Sequence, residues 1–249
     1  MPSILPPRTF TICFFLLAGT ALLPAQSTPT ADSAAPAKHK YTDDVAKLAA
    51  APAPARGGIL MVGSSIFRKW TNCTEDLSPL PVTNRAFGGS RTKDQLFFFD
   101  QIVPSSQAAL IVWYCGSNDV KGNVANEEIL KNTKEWISRT QTALPQARIL
   151  LVSVIRAIQK REDGQLANVD EVNDGLREMA ATTPGVAYVD VNPPMETPSG
   201  EAIPGCYVQD KLHLTPEGYR LMNSALRPAI EKEWHQNAAE KSPPAAPIN

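Results

Sequence analysis

Five apolar runs of strand length alternate with helical patterns along this chain, and this alternation limits its fold more than any other feature. The runs are GILMVG, PVTNRAF, ALIVWYCG, ARILLVSVI and VAYVDVN. They are continuous rather than interrupted by polar residues, as expected of strands that are covered on both faces. Five βα units in series predict an α/β fold: a single three-layer, doubly wound domain around a five-stranded parallel sheet.

Two helical patterns are especially clear. In NEEILKNTKEWISRTQTAL, apolar residues recur on one face at helical spacing. The stretch TPEGYRLMNSALRPAIEKEW begins with Thr215 as a predicted N-cap and Pro216 at the first helical position. Pro228 lies inside this second pattern and is predicted to kink or end the helix, because proline lacks a backbone N–H.

The N-terminal 27 residues are predicted to be a signal peptide. Arg8 precedes the apolar run FTICFFLLAGTALLPA, and small residues follow in PAQS, which favours cleavage after Ala25 or Ser27. A retained anchor is the alternative, although the run is shorter than the roughly 20 residues that span a bilayer. Cleavage leaves no stable membrane span, and we expect a secreted or periplasmic protein.

Composition divides the rest of the chain. Residues 28–56 are rich in Ala, Pro, Ser and Thr, which predicts a linker with a possible short helix at YTDDVAKLAA. Residues 57–236 hold all five βα units and form the predicted domain. Residues 237–249 end in KSPPAAPIN and are predicted to be a disordered tail.

Charge and cysteine content restrict the partners and cofactors. The formal net charge is −1 and no basic block occurs, so nucleic acid and acidic membrane surfaces are not expected as partners. Three cysteines follow the signal segment; Cys115 ends an apolar run and should be buried, whereas Cys73 and Cys206 could pair. No CxxC or Cys/His cluster is present, so we expect no metal site.

Small and polar residues follow the strands where ligands bind in such folds. Strand one runs into MVGSSIF, strand two into NRAFGGSRTKD and strand three into YCGSNDV, while VQDKLHLTPEGY follows the last strand. The carboxyl ends of parallel strands meet at one edge of the sheet. Taken singly, each block has an ordinary interpretation as a helix cap or a turn.

Histidine is scarce, with three in the whole chain. His39 lies in the predicted linker and His235 lies near the tail. His213 is therefore the one candidate for a histidine general base, and Asp210 precedes it by three residues.

In this order the four blocks resemble the SGNH hydrolases, also called the GDSL esterase family. GSSIFRKW, NRAFGGS and DKLHLTPEGY look like the branch that includes the platelet-activating-factor acetylhydrolase catalytic subunits and bacterial acyl esterases. The resemblance spans residues 58–234 and implies a flavodoxin-like sheet of strand order 2-1-3-4-5. Two departures are visible: Ser64 replaces the family's Asp, and Ala86 stands where relatives often have glycine. Ser65 is in the register of the family's nucleophile.

The resemblance implies a serine esterase that transfers a short acyl group, such as acetyl, from a small-molecule or carbohydrate ester to water. It implies Ser65 as the nucleophile and Asp210 and His213 as the rest of a triad. The backbone N–H groups of Ser65 and Gly89 and the amide of Asn118 would form the oxyanion hole. No cofactor and no metal are expected for this chemistry.

Other functions remain open at the level of sequence. The same fold could serve as a non-catalytic glycan- or acyl-binding module, or as an acyltransferase. A flavodoxin-like cofactor binder would need a phosphate-cradling loop, and the first loop lacks its glycines. Arg156, Lys160 and Arg161 follow strand four and could either contact a polar substrate or form a solvated basic loop. Three tryptophans are predicted to serve packing: Trp70, Trp113 and Trp136.

Overall fold

Five parallel strands form the sheet in the computed structural model, which describes residues 38–241 of the chain. The strands are β1 (Ile59–Gly63), β2 (Val82–Asn84), β3 (Leu110–Tyr114), β4 (Arg148–Val152) and β5 (Val186–Val189). Their spatial order is β2-β1-β3-β4-β5, and every neighbouring pair is parallel. The predicted fold class and strand order are confirmed, and each strand lies within one of the five apolar runs.

Ten α-helices connect and flank these strands in the described part of the chain. They are α1 (Thr42–Ala50), α2 (Ser65–Lys69), α3 (Cys73–Asp76), α4 (Thr92–Phe97), α5 (Phe99–Ile102), α6 (Ser117–Lys121), α7 (Asn126–Ala143), α8 (Ile158–Glu162), α9 (Leu166–Thr182) and α10 (Pro216–Lys241). Helix α7 covers the first of the two clear helical patterns, and α10 covers the second.

Two apolar clusters cover the two faces of the sheet. Successive side chains of a strand point to opposite faces, so Ile59 and Met61 belong to one cluster, whereas Leu60 and Val62 belong to the other. The first cluster includes residues of α2 and α10, and the second includes residues of α1, α7 and α9. This double coverage explains why the strands read as continuous apolar runs.

Part of the segment that composition assigned to a linker belongs to the fold. The compact unit begins at His39, and α1 buries Val45 while Tyr41, which precedes it, is 7% exposed. Arg85 Nη2 donates to the backbone carbonyls of Ala51 and Pro52, at 3.4 and 3.2 Å. Helix α1 confirms the short helix predicted at YTDDVAKLAA, and residues 39–56 belong to the compact unit rather than to a free linker, because a few apolar side chains and backbone acceptors suffice to dock them. The predicted signal peptide and residues 28–37 lie outside the described residues.

Helix α10 continues through Pro228 without ending there. Leu226 and Ile230, on either side of the proline, are both fully buried against the sheet, and this packing holds the helix together across the missing N–H. The helix reaches Lys241, so the tail assignment is wrong over residues 237–241. Residues 242–249 lie outside the described residues.

The three cysteines of the described residues and three of the tryptophans are interior groups. Cys73, Cys115 and Cys206 are free and buried, so Cys73 and Cys206 do not pair. Trp70, Trp113 and Trp136 are each at most 2% exposed, which confirms the prediction that they serve packing. None of the described helices has the length and apolar character needed to cross a bilayer.

Candidate active site

The turn from β1 into α2 presents Ser65 at the carboxyl edge of the sheet. Gly63 ends β1 with φ +147°, and a Cβ there would lie 1.9 Å from the carbonyl oxygen of Tyr114 on β3. Only glycine fits this close approach of two strands. The chain then enters α2 directly, with Ser65 as its first residue and partly exposed.

Ser64 and Ala86 mark the two departures from the family motif, and both are interior positions. Ser64 is 1% exposed, and its Oγ has no hydrogen-bond partner among the described residues. It is Ser65, not Ser64, whose hydroxyl reaches the histidine. Ala86 is not among the residues with positive φ, so alanine is accommodated there without backbone strain.

The imidazole of His213 lies between Ser65 and Asp210. Its Nε2 is 2.9 Å from Ser65 Oγ, and its Nδ1 is 2.5 Å from Asp210 Oδ2. Ser65 and His213 are separated by 148 positions in the sequence, so the fold alone brings them together. A hydroxyl, an imidazole and a carboxylate in this series can activate a nucleophile.

The charge of Asp210 determines which ring nitrogen of His213 carries the proton. Partial burial opposes ionisation of Asp210, but hydrogen bonds from the His213 ring and from the backbone N–H groups of His213 and Leu212 outweigh it. They lower the pKa of Asp210 to about 2. An ionised carboxylate only accepts hydrogen bonds, so Nδ1 donates to Asp210 and Nε2 is left to accept the Ser65 proton.

The turn between Asp210 and His213 is tight and is anchored at both ends. Lys211 adopts φ +59°, a left-handed conformation that is uncommon for residues other than glycine. The Val208 N–H donates to the His213 carbonyl at 2.9 Å. Beyond the turn, Thr215 Oγ1 accepts the Gly218 N–H at 3.1 Å, which confirms the predicted N-cap of α10.

Gly89 lies on the loop after β2, and Asn118 lies in the first turn of α6, which follows β3. Gly89 has φ +78°, and a Cβ there would lie 3.2 Å from the hydroxyl of Tyr41. Asn118 Nδ2 donates to the Ser90 carbonyl at 3.0 Å, and its second amide hydrogen remains available. Within the described part of the chain, the backbone N–H groups of Ser65 and Gly89 have no acceptor. These groups are free donors near one edge of the sheet.

A buried carboxylate that the sequence interpretation missed joins these two loops. Asp119 is 1% exposed and accepts hydrogen bonds from the backbone N–H and the hydroxyl of Thr92. Burial raises the pKa of Asp119 to about 6, against the opposing effect of the Thr92 hydrogen bonds. In the sequence, only the position of Asp119 directly after Asn118 could have indicated a role at the site. Nothing in the sequence indicated that Thr92 is its hydrogen-bond partner.

Tyr41 was also missed, because it lies in the segment that was predicted to be a linker. Its ring meets Phe87 edge-on, with the ring centroids 5.2 Å apart. Its hydroxyl lies against Gly89. The N-terminal segment thus supports the loop that follows β2.

The three basic residues after β4 do not form a free basic surface. Arg156 binds two carboxylates: its Nε donates to Glu196 at 2.9 Å, and its Nη1 donates to Asp170. Lys160 is fully buried and donates to the Ser117 carbonyl at 2.8 Å. Neither interpretation from the sequence holds for these two, because ion pairing and burial engage them. Arg161 is exposed and donates to the Gly200 carbonyl.

The donor set around this edge is suited to acyl chemistry. No cluster of three or more His, Cys, Asp or Glu side chains that could hold a metal ion occurs among residues 38–237. The arrangement instead offers a hydroxyl paired with a base, together with N–H groups that can bind a negatively charged oxygen.

Comparison with known proteins identifies the family. Residues 61–221, well over half of the chain, match the GDSL-like Lipase/Acylhydrolase family. The chain belongs to this family. It is a carboxylic ester hydrolase, as the resemblance of its four sequence blocks implied.

Solved structures share the fold at low sequence identity. A protein from Streptococcus pneumoniae named for platelet activating factor is 20% identical, with a TM-score of 0.69 over 77% of this chain and 93% of that one. A GDSL-like lipase from Bacteroides thetaiotaomicron is 22% identical, with a TM-score of 0.64 over 78% and 98%. An acetylxylan esterase from Geobacillus stearothermophilus is 15% identical, with a TM-score of 0.59 over 72% and 94%. A search of curated protein sequences gives no significant match.

Proposed function

We propose that this protein is a serine esterase that hydrolyses short-chain carboxylic esters through an acyl-enzyme. The observation that carries the proposal is that the His213 imidazole makes two hydrogen-bond contacts. Its Nε2 lies 2.9 Å from Ser65 Oγ, and its Nδ1 lies 2.5 Å from Asp210 Oδ2. A serine hydroxyl is a poor nucleophile unless a neighbouring base takes its proton, and this contact supplies that base.

In the acylation step, Ser65 Oγ attacks the ester carbonyl carbon while His213 Nε2 takes its proton. Asp210 keeps the imidazole in the required tautomer and stabilises the imidazolium that forms. The carbonyl oxygen gains negative charge and is bound by the N–H groups of Ser65 and Gly89 and by the amide of Asn118. Such donors act mainly on the transition state, because they face the oxygen where charge develops.

The tetrahedral intermediate then breaks down and water completes the cycle. The ester C–O bond breaks, and the alcohol leaves with the proton from His213. Water next gives a proton to His213 and attacks the acyl-enzyme, and Ser65 recovers its proton when the carboxylic acid departs. The same five residues therefore serve both halves of the reaction.

Acetyl is the acyl group that we propose. The choice is supported by the comparisons: an acetylxylan esterase and a second acetyl esterase are among the proteins that share this fold. With the export expected from residues 1–27, an acetylated extracellular carbohydrate is the proposed natural substrate. Release of acetate from acetylated sugars, compared with hydrolysis of longer-chain nitrophenyl esters, tests this choice.

Labelling with a fluorophosphonate probe tests the nucleophile. We expect wild-type protein to be labelled, and Ser65→Ala to lose labelling and nearly all turnover, by a factor of about 10⁴ to 10⁶. Ser64→Ala is the matched control: its hydroxyl is buried without a partner, so labelling should persist. A wild-type chain that is folded but unlabelled would favour the non-catalytic binding module instead.

A further inference from the structure

Helix α8 (Ile158–Glu162) connects two loops of the candidate active site. The Gln159 N–H donates to the carbonyl of Lys211, in the turn between Asp210 and His213, at 3.0 Å. Lys160 Nζ donates to the carbonyl of Ser117, directly before Asn118, at 2.8 Å. One short helix after β4 therefore bonds both to the turn between Asp210 and His213 and to the first turn of α6, which carries Asn118.

Lys160 is an unusual group to find in this position. Its side chain is fully buried, although lysine is almost never buried without an ionic partner. Among the described residues no carboxylate lies within ion-pair distance of its ammonium, and the acceptor it contacts is a neutral carbonyl. Burying a cation in this way destabilises a fold, and an apolar side chain of similar volume would pack there at less cost.

The ammonium lies against the peptide group that joins Ser117 to Asn118. This hydrogen bond fixes the orientation of the turn from which Asn118 projects, and Asn118 in turn bonds to the Ser90 carbonyl in the loop of Gly89. A positive charge in a site from which water is excluded also acts strongly on negative charge nearby. The fixed orientation of Asn118 and the positive charge of Lys160 would both stabilise the oxyanion as it forms.

We propose that Lys160 is a positioning residue for the oxyanion hole, which holds the Ser117–Asn118 peptide group and supplies a fixed positive charge beside it. The proposal rests on the esterase function proposed above. It concerns turnover rather than substrate binding, because the group acts through Asn118 and is itself buried.

The charged neighbours of Lys160 make this role dependent on pH. Burial, together with the like charge of Lys121 on α6, lowers the pKa of Lys160 to about 8, against the opposing effect of Asp163, which follows α8, and of Asp119 on α6. The ammonium is present below this pKa and is lost as the pH rises through it. Turnover should therefore fall on the alkaline side, near pH 8.

The first experiment measures kcat and KM for p-nitrophenyl acetate from pH 5 to 10 in wild type and Lys160→Met. Methionine is close to lysine in length and carries no charge. We expect kcat to fall about tenfold to a hundredfold with KM nearly unchanged, as when a distant change misplaces catalytic groups. The alkaline decline should also disappear. A folded Lys160→Met protein with the wild-type kcat and the wild-type decline would overturn the proposal.

Lys121→Met is the matched control, since it removes a neighbouring exposed lysine on α6. We expect the maximal kcat to stay unchanged and the alkaline decline to move to higher pH, because loss of a like charge raises the pKa of Lys160. This shift tests the proposal in otherwise wild-type protein even if Lys160→Met does not fold. A decline that does not move would assign it to another group and overturn the role of Lys160.

Fluorophosphonate labelling of wild type separates the two proposals. If wild type is labelled and active but Lys160→Met matches it at every pH, the positioning role fails and the esterase function stands. If folded wild type is neither labelled nor active, both fail together.

Discussion

At the scale of single residues, the state of Asp210 governs the histidine beside it. Its carboxylate receives the His213 ring N–H and two backbone N–H groups, which together lower its pKa to about 2. A group whose pKa is lowered on folding contributes its stabilising effect above the unfolded pKa of about 3.9. That effect is lost only as the pH falls through about 2, so Asp210 stays ionised over the whole range in which an esterase is assayed.

Asp210→Asn should therefore lower kcat by about 10⁴ at every pH from 5 to 9. The asparagine amide can donate to His213 Nδ1 and so favours the tautomer that carries its proton on Nε2, which then cannot act as the base. The measurement is kcat for p-nitrophenyl acetate, with fluorophosphonate labelling in parallel. A defect of tenfold or less, or one confined to acid pH, would contradict this assignment of the tautomer.

Asn118→Ala should lower turnover by about 10² to 10³ while leaving the fold intact, because one oxyanion donor contributes about that much. Asn223→Ala is a suitable control, since its amide also donates to a backbone carbonyl, that of Asp76, but outside the candidate site. Steady-state kinetics give kcat for both variants, and thermal unfolding shows whether each variant is folded. Equal kcat values in the two variants would remove Asn118 from the oxyanion hole.

At the scale of elements, packing overrides local propensity in α10. Pro228 is exposed in the interior of a 26-residue helix, where proline leaves one backbone carbonyl without its helical donor. The buried residues on either side keep the helix continuous in spite of this. The same competition explains why the helix does not end at the proline.

Pro228→Ala should stabilise the protein by about 1 to 3 kcal/mol, because alanine restores the missing hydrogen bond and is the best helix former. In a domain of this size that corresponds to a rise in Tm of several degrees. Urea and thermal unfolding measure it. Esterase activity below the unfolding transition serves as the control and should not change. An unchanged or lower Tm would indicate that α10 bends at the proline and that the sheet requires the bend.

At the scale of the whole molecule, the βα units are not the entire domain. The family match begins at residue 61, yet the compact unit begins at His39. Helix α1 contacts α5, and Tyr41 reaches the loop of Gly89. Stability and the geometry of the site therefore depend on a segment outside the repeated βα pattern.

Two truncated chains test this dependence. A chain that starts at His39 should unfold in urea at the same midpoint as a chain that starts at residue 28. A chain that starts at Gly57 should lose about 3 kcal/mol or more, because it exposes the apolar surface under Tyr41 and Val45 and removes the acceptors of Arg85. Equal midpoints for the two chains would show that α1 contributes nothing to folding.

The sequence alone determined the architecture, because continuous apolar runs, glycines and helix caps act over a few residues. It also indicated the loops to consider at the site, since four blocks of small and polar residues follow strands and such loops share one edge. The resemblance to the SGNH hydrolases then implied which of their residues to choose: Ser65, Gly89, Asn118, Asp210 and His213. The contacts that α1 makes, the continuity of α10 and the burial of a lysine were not readable in this way. Each depends on surfaces that exist only after distant segments have packed together.

Tertiary structure alone also decided the contacts within the site. The 2.9 Å contact between Ser65 and His213 joins residues that are 148 positions apart in the sequence. The hydrogen bond from Lys160 to the Ser117 carbonyl, beside Asn118, joins residues that are 43 positions apart. Local patterns specify each segment's conformation, whereas distances between segments follow from how the helices pack on the sheet. The residue types were therefore visible in the sequence, but the bonds between them arose from packing.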